Sequence, residues 1–150
     1  MEATSLPIAS NGKRVWSFII DDMVVNFFLM IIFSSQINAL MAGITTIDET
    51  AIMTINAFIV DNIAVVFAVK VLYHTVLIWQ SGQTLGKYVM KIKAVDMNTG
   101  NLLRFQQAFW RASVRLVSEM FFYLGFVPAF FSPLHQTLHD KLSNCVVIDV

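Results

Sequence analysis

Charge is what this sequence has least of for its size. Lys, Arg, Asp and Glu make up 13% of 150 residues, against 57% hydrophobic residues and a mean hydropathy of +0.67. So large an apolar fraction exceeds what one core of this size can hide from water, and it points to a bilayer as the solvent. Cysteine is nearly absent: Cys145 stands alone, which excludes an internal disulfide and a thiolate metal cluster within one chain. Net charge is absent as well, since ten basic residues balance ten acidic ones; nothing draws the chain to nucleic acid, and none is expected as a partner. No basic stretch precedes Lys13 and Arg14, and the apolar run behind them is too long for a signal segment and carries Asp21 and Asp22, so no cleaved signal is expected. Nucleophile-base-orienter patterns and cofactor fingerprints are missing too, which argues against an enzyme and against a cofactor.

What is present is a set of long apolar runs. Residues 15–40 and 57–79 each supply the ~20 residues a helix needs to cross ~30 Å of hydrocarbon. The stretch between them, 41–56, has no Lys or Arg and carries Asp48 and Glu49, so it reads as an outside loop. Lys13 and Arg14 before the first run, and Lys87, Lys91, Lys93 and Arg104 after the second, place both flanks in the cytoplasm by the positive-inside rule. Residues 80–104 read as a cytoplasmic turn and strand: Tyr88 to Asp96 alternates apolar and basic residues, and Met97 to Asn101 supplies turn chemistry. Residues 145–150, at the end of the C-terminal segment 135–150, are also strand-like, and pairing them with the strand in 80–104 gives a small cytoplasmic two-stranded β ribbon. Residues 105–134 begin as an amphipathic helix with aromatics and arginines placed for an interface, then continue apolar with Glu119 and Gly125 until Pro128 and Pro133. A helical hairpin or re-entrant segment is favoured there, with three or four spans in total as the alternative. The predicted fold is a single-domain α-helical integral membrane protein spanning residues 1–150.

The few charges inside the apolar runs carry the functional reading. Arg14 and Asp21 are two helical turns apart on nearly the same face, and Asp22 lies nearly above Asn26. A carboxylate at that depth costs ~2.5 kcal/mol or more unless protonated, hydrated or paired. Lys70 lies at a matching depth in the second run and is the predicted counter-ion, with titratable His74 one turn along the same face; Asp61 lies on the opposite face. Asp21, Asp22, Asn26, Lys70 and His74 are the predicted ion or proton relay, Asp21 its carrier carboxylate; a structural ion pair is the plainer alternative for Asp21, and a topology signal for Arg14. Gly82, Thr84, Gly86 and Lys87 read as a tight cytoplasmic turn with Lys87 at the interface, because the spacing does not fit a phosphate-cradling loop. Arg115 and Glu119 are spaced as a helical salt bridge. His135 and His139 lack a third ligand, so a hydrogen-bonded cluster with Arg111 or Arg14 is expected there and no metal.

Several motifs, in order, resemble the RDD family of small bacterial membrane proteins: the run from Arg14 to Asp21, Gly82 to Lys87, Val95-Asp96, Trp110-Arg111, and Gln136 to Asp140 before a Val-Val strand. Asn144 and Cys145 depart from the family's usual glycine and threonine. The resemblance maps the family's arginine and two aspartates onto Arg14, Asp21 and Asp140, and it adds Arg111 and His139 to a shared charged network. It implies a bacterial inner-membrane location and transport of the cation/proton antiport kind. Two function classes follow. One is movement of protons or monovalent cations through a homo-oligomer or with a partner subunit, since two spans enclose no pathway; the other is a non-transporting accessory or assembly module.

Overall fold

The computed structural model describes residues 7–121 and 124–150. Helix α1 (Asn11–Ile32) starts where the Ser10 hydroxyl accepts the Lys13 backbone N–H, satisfying one of the first turn's free donors. Its buried stripe is Ser17, Asp21, Val25 and Leu29, one residue per turn, so a carboxylate sits on the packed face of an otherwise apolar helix. Phe33 interrupts the helix, and α2 (Ser34–Gly43) continues beyond it. The predicted run 15–40 is therefore two helices, and it begins four residues early because Ser10 supplies the cap.

Helix α3 (Glu49–Ser81) is 33 residues long, about 50 Å at 1.5 Å per residue. The Asp48 carboxylate accepts the Ala51 N–H at 2.9 Å and Glu49 occupies the first turn, so acidic residues that read as loop serve to start a helix. The predicted outside loop 41–56 shrinks to residues 44–48 between the two helices. Both α1 and α3 are long and apolar enough to cross a membrane. They meet through Val25, Leu29 and Phe33 against Phe58, Val66, Val69 and Tyr73, with Phe33 edge-on to Phe58 at 5.9 Å.

Gly82 ends α3 in a left-handed conformation, φ 73°, that a side chain would strain. A short helix, α4 (Leu85–Val89), follows, capped by the Thr84 hydroxyl. Tyr88 and Val89 thus belong to a helix, which corrects the strand predicted from residue 88. Strand β1 (Ile92–Asp96) pairs antiparallel with β2 (Cys145–Asp149), Ile92 opposite Asp149 and Asp96 opposite Cys145, as the ribbon reading required. The N-terminal segment joins on the free edge of β2: the Ala9 N–H donates to Val147 at 3.0 Å and the Asp149 N–H to Pro7 at 2.8 Å. Asn144, at φ 50°, takes the left-handed conformation that glycine favours, one of the few residues able to do so.

Helix α5 (Phe105–Met120) lies antiparallel along α3, with Phe105 edge-on to Trp79 at one end and Glu119 paired with Lys70 at the other. Its arginines correct the interfacial reading: Arg111 and Arg115 are buried, facing inward, while Phe109 and Trp110 are exposed. A 3-10 turn (Leu124–Phe126), α6 (Pro128–Phe131) and α7 (Leu138–Leu142) bring the chain back; residues 122–123 of the predicted 105–134 segment lie outside the described residues. The Asn11 side-chain amide donates to the Ala129 carbonyl, so this excursion begins and ends at the sheet end of the helix pair.

Candidate functional site

Three polar clusters hold the sheet end together, and the sequence-predicted residues are divided among them. The first is built on Asp21, wholly buried on α1. Its Oδ1 accepts the Tyr73 hydroxyl at 2.9 Å and the Gly86 backbone N–H at 2.8 Å; its Oδ2 accepts the Thr84 hydroxyl at 2.6 Å. One carboxylate thus ties α1 to α3 and to the 82–87 segment. Gly86 makes this possible, because a Cβ there would collide with the Ser17 carbonyl and stand 2.9 Å from the Asp21 carboxyl carbon. Asp21 does not reach Lys70, which corrects the predicted pair. Tyr73 is the residue the sequence reading missed; it lies three positions from Lys70 and one from His74, and only the course of the 82–87 segment shows where its hydroxyl points.

The second cluster surrounds Asp140, also wholly buried. Thr137 and Asp140 form a capping box at the start of α7, which fixes the carboxylate. Arg111 donates to Oδ1 from Nε at 2.9 Å and Nη2 at 2.8 Å, and Arg14 donates to Oδ2. His139 Nε2 lies 3.7 Å from Oδ1, and the Cys145 thiol donates to it at 3.3 Å. Burial alone would raise the Asp140 pKa, but the two guanidiniums hold it well below the usual carboxylate range. Burial holds the His139 imidazole neutral and pushes the Cys145 thiol up to about 12. His135 keeps apart, its Nδ1 against the Ala129 carbonyl.

The sequence that builds these clusters matches a known family. The family model described as the RDD family covers residues 8–144. The chain belongs to the RDD family. No curated protein and no solved structure matches it. Arg14 and Asp140, onto which the resemblance maps the family's arginine and second aspartate, are direct partners, whereas Asp21 is a latch of its own.

The third cluster lies deeper in the RDD chain. Lys70 Nζ stands 3.2 Å from Asp22 Oδ1 on α1 and 2.8 Å from Glu119 Oε2 on α5. Asn26 donates to the other Asp22 oxygen at 3.1 Å, and Arg115 Nε to the other Glu119 oxygen at 3.1 Å. The Arg115 guanidinium also lies 3.4 Å from His74 Nδ1 and 4.7 Å over the Phe18 ring. The predicted relay is therefore regrouped: Asp22, Asn26, Lys70 and, through Glu119 and Arg115, His74 connect, and Asp21 does not. Glu119 joins from a helix that the depth argument left unplaced. Asp61 is exposed on α3, with no hydrogen bond or ion pair among the described residues. Lys87, predicted at the interface, is buried, its ammonium 3.4 Å from the Ser17 hydroxyl.

Proposed function

We propose that this RDD protein exchanges a monovalent cation for a proton at the site formed by Asp22, Lys70 and Glu119. The observation that carries the reading is the convergence of two carboxylates, from different helices, on one ammonium at the depth of Lys70. Protonated Lys70 occupies the place a cation would take. When it gives up its proton, two carboxylates remain around a neutral amine, a set of hard oxygen ligands suited to a small monovalent cation. One proton leaves for each cation that enters, so the site's charge is unchanged. Asn26 and Arg115 hold the outer oxygens and keep the carboxylates in place during the exchange. The Asp22 side chain is 32% exposed and that of Lys70 19%, against 0% for Asp140, so this cluster is open at the surface of the helix pair.

In this reading the protein is not an enzyme. The sheet end faces the cytoplasm, because Lys13, Arg14, Lys91, Lys93 and Arg104 gather there and the 44–48 connection has no basic residue. Both termini are then cytoplasmic, the membrane is a bacterial inner membrane, and residues 105–134 form a re-entrant excursion reaching the depth of Lys70. Two spans leave the site open on one side; a second copy or a partner subunit closes it, and the bare Asp61 carboxylate on α3 requires such a neighbour. The accessory-module reading rests on a different observation, that Asp21 and Asp140 are wholly occupied in holding the fold.

The test is cation-driven proton movement in proteoliposomes with a pH-sensitive dye inside. Wild type is expected to respond to sodium, lithium or potassium, and Asp22→Asn, Lys70→Met and Glu119→Gln to lose the response while keeping Cys145 protected from thiol reagents. Silence from well-folded wild type would transfer the assignment to the accessory module.

A further inference from the structure

Beside the Asp140 cluster, and apart from Lys70, the protein encloses a cavity of about 200 Å³ whose lining includes Arg14, Lys87, Arg111, Arg115 and His139. Four cationic side chains thus face one space that no lining carboxylate shares. Asp140 answers for both Arg14 and Arg111, and Arg115 shares Glu119 with Lys70. Among the described residues the Lys87 ammonium has only the Ser17 hydroxyl as a hydrogen-bond partner, at 3.4 Å. Arg14 Nη1 and His139 Nδ1 are buried with no hydrogen-bond partner among the described residues. A guanidinium donor is costly to leave unmet in a protein interior. The rest of the lining is apolar apart from Asn11 and Thr137, with Val15 and Phe130 exposed at its edge beside the first turns of α1.

We infer that this cavity binds a phosphate group, with Arg14 and Lys87 as the donors that hold it. Arginine offers a planar fork suited to two phosphate oxygens, and lysine a point charge. The group comes either from the headgroup of an anionic phospholipid, whose chains would leave past Val15 and Phe130, or from free phosphate. Burial, followed by the charge of Arg111, lowers the Lys87 pKa to about 7, and an anion in the cavity would return that proton's affinity. The site stands whether or not Lys70 exchanges cations.

The full chain, reconstituted in nanodiscs of phosphatidylcholine alone or with phosphatidylglycerol, is compared with Lys87→Met by thermal unfolding. Inorganic phosphate is then titrated into the phosphatidylcholine sample. The wild type is expected to melt higher with phosphatidylglycerol, with phosphate, or with both, and Lys87→Met to bind about tenfold or more weakly, as removal of a charged hydrogen bond implies. A response to phosphatidylglycerol alone assigns the lipid; a response to phosphate assigns the free ion. Native mass spectrometry of the wild type, which needs no variant to fold, is expected to show retained phospholipid in the first case. The inference is overturned if neither additive raises the wild-type melting temperature, or if Lys87→Met folds and responds as fully as wild type.

Discussion

Replacing Asp21 with asparagine separates latch from carrier. The carboxylate, wholly buried, accepts three hydrogen bonds, from Tyr73, Thr84 and the Gly86 backbone. An asparagine that keeps its carbonyl at the Oδ1 position retains two of them, but each falls from a charged to a neutral acceptor, a loss of ~1 kcal/mol apiece. Its amide nitrogen then faces the Thr84 hydroxyl, which must turn away from its native acceptor at ~1–3 kcal/mol. The total is about 3–5 kcal/mol, or roughly 160- to 5,000-fold in the population of unfolded molecules. Cys145 is a built-in reporter, because it is the single cysteine, is buried, and has a thiol held protonated. Its labelling by a maleimide in detergent is expected to accelerate by that factor when labelling follows unfolding. Wild-type labelling rates and abundance in Asp21→Asn would refute the latch; lost proton flux alongside them would restore Asp21 as the carrier.

Gly86→Ala is expected to cost more than Asp21→Asn, since the added Cβ collides with the Ser17 carbonyl backbone and separates α4 from α1; expression and melting temperature check it, and Gly12→Ala, where a Cβ meets open space, is the control. Asp140→Asn leaves two buried guanidiniums without their anion and is expected to destabilise by about 3–5 kcal/mol, with Arg111→Met in the same background recovering part of the loss. In neutral detergent without phosphate, stability is expected to rise with pH from about 7 to about 9, above which the Cys145 thiol, held protonated in the fold, opposes the rise. The sign follows from the folded state releasing the Lys87 proton near 7 while the unfolded chain keeps it, so the slope is positive and at most ~1.4 kcal/mol per pH unit. Lys87→Met should flatten it in thermal melts.

The sequence made the apolar runs, the ribbon and the charged motifs legible, because hydropathy and β-branched alternation are local signals. The ends of α3 were misjudged for a local reason as well: Asp48 and Glu49 are polar whether they make a loop or cap a helix. The pairing of Lys70 is met at Asp22 and missed at Asp21, for a different reason. Depth along a helix fixes height but not direction, and Asp21 and Asp22 share a height while pointing about 100° apart. Which of them met Lys70 depended on Gly86 and Thr84 claiming Asp21 first, and those residues come from a segment that read only as a turn. Buried arginines on α5 were hidden for a similar reason, since an amphipathic helix shows the same pattern whether its charged face meets headgroups or a carboxylate on α7.

The bond between Arg14 and Asp140 joins residues 126 positions apart, and translation visits them in that order. Arg14 is already placed at the head of α1, and Arg111 on α5, before the ribosome has made the anion that neutralises both. Until α7 emerges, the nascent protein holds two guanidiniums at the membrane with no carboxylate to receive them, and β2 has yet to join either the N-terminal segment or β1. Closure of the sheet end therefore waits for α7 and β2, however early α1 and α5 enter the membrane.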